Sequence, residues 1–217
     1  MNSETLRIFK RQSPVGVLGP GKQAVIWVQG CRFACPSCIV PDSWDENAGD
    51  LVTVTELVDW VLAVPGIEGV TFSGGEPMLQ AEALSNLIDK LLDRTNLGVM
   101  CYTGYRLEHL QQQGTAAQQT LLQKIDLLID GLYIEKLHGD LLWRGSANQR
   151  LLPLTERYRS LITALLSDAD TSAGLEFFMG ITGELSFVGV PNKPGFSQEF
   201  EARMLKRGVI VEPIKQD

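Results

Sequence analysis

"WVQGCRFACPSC" occupies residues 27–38. An apolar run ends in Gly30, and Cys31, Cys35 and Cys38 follow in a C-x₃-C-x₂-C pattern. The remaining cysteine, Cys101, is far away in sequence. A loop of Gly, Pro and Ser is not a core, so three idle buried thiols are a poor account of it. A structural zinc needs four ligands. The fourth would have to be Cys101 or one of the two histidines, His109 and His138, and the spacing lacks the paired knuckles of zinc ribbons. A four-iron cube normally takes four thiolates, and in a ferredoxin run the last follows after three intervening residues. Here that position is Asp42. A cube held by three thiolates keeps one iron open to bind a ligand directly.

Outward from this loop, strands alternate with helices. Strands are expected at 23–30, 69–77, 97–104 and 126–135, each apolar and bounded by Gly or turn residues. The first helix spans 53–64, with a Thr53/Glu56 capping box and a stripe of Leu57, Val58, Val61 and Leu62. A second spans 79–93, with Leu84, Leu87, Ile88, Leu91 and Leu92 on one face, and a third spans 107–125 with a break at Gly114. Alternation of this kind implies parallel βα units with right-handed crossovers. In such folds the chemistry sits at the C-terminal ends of the strands. Gly30–Cys38, Ser73–Pro77, Thr103–Tyr105 and Asp130 lie at those ends.

The pattern changes near residue 150, which divides a core (1–150) from an extension (151–217). The extension opens with a helix at 154–166, striped by Tyr158, Leu161, Ile162 and Leu165. A hairpin at 174–191 is expected to turn at Thr182-Gly183, followed by a helix at 197–208 capped by Gly208 and a strand at 209–214. This is a β-β-α-β unit with Phe177, Phe178, Phe187 and Phe196 for apolar mass.

With 217 residues, 44% of them hydrophobic and 21% charged, the chain can bury a core without disulfides. Its few cysteines are no secreted disulfide framework, and the start carries no apolar leader, so a cytoplasmic location is expected. No apolar run approaches the roughly 20 residues of a membrane span. A net charge of −7 without a basic stripe argues against nucleic acid as a partner.

The C-x₃-C-x₂-C loop after a first strand, followed one βα unit later by "SGGEP" (73–77), resembles the radical S-adenosylmethionine enzymes. The resemblance implies a partial (β/α)₆ barrel. It also implies one 4Fe-4S cluster on Cys31, Cys35 and Cys38, with the open iron chelated by the amino and carboxylate groups of S-adenosylmethionine. Reduction would then split the sulfonium to a 5′-deoxyadenosyl radical. Ser73, Gly74, Gly75, Glu76 and Pro77 match the segment that binds the methionine amino group. Glycines let backbone carbonyls approach an ammonium, and Glu76 adds negative charge.

"GPGKQAVIWVQGC" (19–31), "PDSWD" (41–45), "CYTGY" (101–105), "LIDGLYIE" (128–135) and "RGSANQR" (144–150) resemble one branch, the activating enzymes of glycyl-radical proteins such as anaerobic ribonucleotide reductase. By that resemblance Thr103, Asp130, Ser146, Asn148 and Arg150 are candidate cofactor contacts. A glycyl-radical protein is the implied partner, and flavodoxin or ferredoxin the implied electron donor. No catalytic residue is expected beyond the cluster and cofactor, because the radical is the abstracting agent. The sequence departs from the branch at Ser37, where an aromatic is common, and at Ile39-Val40, where His or Tyr and then Asn are common. The compact activases also end soon after the RGS segment. The rival readings are a radical enzyme acting on a small molecule or peptide, and a non-catalytic cluster or zinc module.

Overall fold

The structure, a computed structural model, describes residues 3–180, 183, 185–209 and 211. β1 (Thr5–Val15) turns back as β2 (Gln23–Val28), in which all six residues are buried. The cysteine loop follows, then β3 (Asp50–Thr53), which runs directly into α1 (Val54–Leu62). The expected capping box forms: Glu56 N–H donates to Thr53 Oγ1 at 3.1 Å, and Thr53 N–H donates to Glu56 Oε2 at 2.9 Å. β4 (Gly69–Gly74), α2 (Ala81–Leu92) and β5 (Gly98–Thr103) come next. The long helix expected at 107–125 is two, α3 (Leu107–Gln113) and α4 (Ala116–Leu122). Gly114 is extended, and Thr115 and Gln118 start α4 with a second capping box. β6 (Leu127–Asp130) is followed by a small hairpin, β7 (His138–Leu141) and β8 (Arg144–Ser146), and by β9 (Arg150–Pro153).

Seven of these strands form one sheet in the order β3-β1-β2-β4-β5-β6-β9. The four central strands β2, β4, β5 and β6 are parallel, whereas β1, β3 and β9 join antiparallel at the flanks. Six βα units were expected; the described residues instead hold a mixed sheet with three crossovers between parallel strands. Two differences come from strand pairing. β1 carries a period-two pattern only at Leu6 and Ile8 before charged residues take over, so its strand character comes from pairing on both sides. Residues 144–150 read as a polar loop, yet β8 and the start of β9 lie inside them.

Side chains alternate between the two faces of the sheet. Ala24, Ile26, Val28, Val70 and Phe72 face one way and form a continuous core with α1, α2 and α4. Val25 and Trp27 face the other way and pack with Val15, Leu18 and Val188. Val188 belongs to the C-terminal part, which comprises α5 (Arg159–Asp168), β10 (Leu175–Met179), β11 (Leu185–Gly189) and α6 (Phe196–Leu205). β10 and β11 pair antiparallel, and the hairpin is closed by a Gly183 N–H bond to Gly180 O at 3.0 Å; Thr182 lies outside the described residues. Phe177, Phe187, Phe196 and Phe200 interlock the hairpin with α6. Beyond α6, Gly208 adopts a left-handed φ of +75°, and its N–H reaches Leu205 O at 3.0 Å, as a helix stop requires. Of the strand expected at 209–214, Val211 bridges to Leu185; residues 210 and 212–214 lie outside the described residues. The core–extension boundary expected at 150 falls at the start of β9, a strand of the main sheet.

Candidate active site

At the C-terminal ends of the parallel strands the chain leaves a cavity of about 210 Å³. The cysteine loop forms one side. Its base is tied down by Gly30 N–H to Ser43 O (2.8 Å), Cys31 N–H to Trp44 O (3.0 Å), and the Gln29 amide to Asp42 O and Asp45 O (3.0 and 2.8 Å). Ala34 and Ser37 hold left-handed φ values of +46° and +59°, uncommon for residues with a side chain. Those two bends turn the loop around the cavity, and Cys38 N–H closes a turn on Cys35 O at 3.1 Å. Ser37 Oγ donates to Glu135 Oε1 at 2.7 Å, which ties the loop to the segment after β6.

The Gly-Gly turn lies beneath the loop. Gly75 N–H donates to Val28 O at 2.7 Å and Glu76 N–H to Gly30 O at 2.8 Å. A Cβ at Gly75 would collide with the Gly30 backbone oxygen, so glycine there is a requirement of the close approach. Glu76 is 2% exposed. It accepts from Met78 N–H (2.9 Å), Thr103 Oγ1 (2.8 Å) and Gly104 N–H (2.8 Å). Burial outweighs these three donors and pushes its carboxyl up to about 7.

Cys31, Cys35, Cys38, Ser73, Gly74, Gly75, Glu76 and Thr103 all line this cavity. Pro77, Asp130, Ser146, Asn148 and Arg150 do not. Asp130 is fully buried with its carboxylate spoken for. Leu107 N–H donates to Oδ2 at 2.8 Å, Arg106 Nη1 to Oδ1 at 3.3 Å, and Arg150 clamps it from the next strand through Nε (2.9 Å) and Nη2. Asn148 Nδ2 donates to Leu132 O (2.8 Å), and Ser146 Oγ accepts from Ile134 N–H (3.1 Å). The 144–150 segment does reach the cavity, through Gly145 and Gln149. Sequence reasoning did not name those two as site residues, nor Gly131 and Tyr133; Gly104 lay within the singled-out stretch 103–105, and His138 was weighed only as a zinc ligand, yet all four also line the cavity. Gln149 lay within a quoted motif; nothing local marked His138.

The donor set fits a four-iron cube, because three thiols, the ligands such a cluster takes, line one cavity. Cys101 is fully buried in the core away from the cavity and supplies no fourth ligand. Burial raises the Cys31 and Cys35 thiols above their ordinary range, so ligation itself must drive off the protons. His138 Nε2 is buried without a hydrogen-bond partner while Nδ1 meets Tyr133 Oη at 3.0 Å, which leaves an unused polar atom at a cavity residue.

The 4Fe-4S single cluster domain family matches residues 17–152. The anaerobic ribonucleoside-triphosphate reductase-activating protein of Enterobacteria phage T4 is 33% identical over 145 residues, covering 64% of this chain and 89% of that one. This chain belongs to that family. The activating protein of Vibrio cholerae is 34% identical over 151 residues, covering 65% of this chain and 94% of its own. The pyruvate formate-lyase-activating enzyme of Clostridium pasteurianum is 39% identical over 87 residues, 38% of this chain and 37% of that one. As one of these activating proteins, the chain is a radical S-adenosylmethionine enzyme, and its cofactors are a 4Fe-4S cluster and S-adenosylmethionine. The zinc and non-catalytic readings fall away. Among the described residues no helix is long and apolar enough to cross a membrane.

Proposed function

We propose that the chain installs a glycyl radical on an anaerobic ribonucleoside-triphosphate reductase, taking its electron from a flavodoxin or ferredoxin. The observation that carries this is the meeting of the cysteine loop and the Gly-Gly turn on one cavity, in a chain whose relatives bear that activity in their names. Cys31, Cys35 and Cys38 hold the cluster. When bound, the cofactors supply one-electron reductive cleavage of S-adenosylmethionine to methionine and 5′-deoxyadenosine, the added hydrogen coming from a glycine Cα of the partner.

The chain's own residues bind and orient. Backbone groups of Ser73–Gly75 line the cavity for the methionine ammonium, and Glu76 fixes Thr103 and Gly104 against the same turn. Asp130 and Arg150 act one step back: their ion pair anchors β9 to β6, so that Gly145 and Gln149 face the cavity. We also read the sheet as the family's partial barrel, with the cavity at the face turned away from α1 and α2, and residues 151–217 as an extension of it.

The test is anaerobic. Cluster-loaded chain, dithionite and S-adenosylmethionine are mixed with the large subunit of an anaerobic ribonucleotide reductase. The expected result is a glycyl-radical resonance on that subunit with matching 5′-deoxyadenosine, both abolished by Cys35→Ala. 5′-Deoxyadenosine without a protein radical would move the substrate to a small molecule or peptide.

A further inference from the structure

Residues 153–217 lie beyond the family match, and part of them reaches the cofactor cavity. The run from Gly189 to Gln198 leaves β11 and enters α6, and nine of its ten residues line the cavity, Asn192 being the exception. The sheet below holds this run in place, because Val188 is packed against Val25 and Trp27.

We propose that this appended run is a wall of the active site, and that Lys193 on it, with the start of α6, forms an anion-binding patch for a carboxylate. Three observations converge. Among the described residues, Lys193 is the only Lys or Arg lining the cavity, whose other ionisable side chains include the Glu76 carboxyl, the three thiols and the His138 imidazole. The first turn of α6 opens on the same space. Gly195, at a left-handed φ of +69°, has no side chain to cap it, and Phe196, Ser197 and Gln198 line the cavity. First-turn N–H groups have no intrahelical acceptor, and the helix dipole adds positive potential there. His138 Nε2, buried and unpartnered, belongs to a residue lining the same cavity.

Lys193 has a resting partner. Its Nζ lies 3.0 Å from Glu199 Oε2, with the two side chains 55% and 42% exposed. An ion pair that open to solvent is worth little. Glu199 is also held by Arg203, which would keep it neutralised when Lys193 turns to a ligand.

A carboxylate could come from the methionine end of the cofactor or from the substrate. Full-length wild type, Lys193→Ala and Lys193→Arg are compared after cluster loading, with iron content and melting temperature recorded for each. Affinity is measured for S-adenosylmethionine and for its decarboxylated analogue. If the cofactor carboxylate is the ligand, Lys193→Ala weakens S-adenosylmethionine about tenfold or more, leaves the decarboxylated analogue unchanged, and Lys193→Arg recovers most of the loss.

If the carboxylate is the substrate's, both cofactor affinities stay put. The half-saturating concentration of the reductase large subunit then rises about tenfold in Lys193→Ala and falls back in Lys193→Arg; this arm rests on the function proposed above. Equal weakening of both cofactor forms, or no change in any of the three measurements, overturns the proposal. Should wild type place no radical on that subunit, the partner assignment fails separately. Lys193 is then judged on cofactor affinity alone, and unchanged affinity overturns it.

Discussion

Glu76 shows how a short motif becomes chemistry. The sequence placed it beside two glycines at a strand end; the fold buries it and gives it three donors. Its carboxyl titrates near 7, above its unfolded value of 4.5, so the folded apoprotein holds a proton that the unfolded chain has released. Stability therefore falls as pH rises from about 4.5 to about 7 and levels off above, by on the order of 3 kcal/mol at most. Glu76→Gln removes that slope; denaturant titrations of the apoprotein across this window check it, and an unchanged slope assigns it to other groups. Gly75 is the steric counterpart. Gly75→Ala forces a methyl onto the Gly30 carbonyl, and overpacking of that kind costs roughly 1–3 kcal/mol. The expected outcome is a lower melting temperature together with poor iron retention, because the strain bears directly on the cysteine loop.

Elements set which residues of a motif face inward. In "RGSANQR" the sequence suggests hydroxyl, amide and guanidinium contacts to a ligand. Pairing of β6 with β9 places Arg150 directly across from Asp130, and a fully buried carboxylate captures the guanidinium. The inward positions become Gly145 and Gln149. Removing one partner of a buried pair costs roughly 3–5 kcal/mol. Asp130→Ala should fall at the low end, about 3 kcal/mol, because Arg150 and Arg106 are 33% and 45% exposed and regain water. Equilibrium unfolding measures this, and a loss under about 1 kcal/mol would mean that the clamp does not hold β9.

At the scale of the whole molecule, the C-terminal hairpin covers the sheet face opposite α1, α2 and α4. Val188 is its main buried contact with that face, 3% exposed, while Met179 at the free side of β10 is 77% exposed. Val188→Asp should release the hairpin and α6 from the sheet without unfolding β2, β4, β5 and β6, whose larger core lies on the other face and whose β5 and β6 keep α5 on this one. Hydrogen exchange would then accelerate across 175–205 and stay slow in the central strands. Uniform acceleration would show that the two parts unfold as one unit.

The cysteine loop, the Gly-Gly turn and the three βα crossovers were legible because each is local: ligand spacing, turn chemistry and helical or strand period lie within a few residues of one another. The strand at Thr5–Val15 and the edge strand β9 were not, since each is held by long-range pairing rather than by its own pattern. The same limit applied to the site. Sequence could place Cys31, Cys35, Cys38 and Ser73–Glu76 at strand ends, where parallel topology puts chemistry. Whether Asp130 faces a ligand or an arginine is decided by the register of two strands 20 residues apart. That Lys193 shares a cavity with Cys31 is decided only when a hairpin far along the chain buries Val188 against Trp27. Burial is a property of the assembled sheet, and no window of sequence contains it.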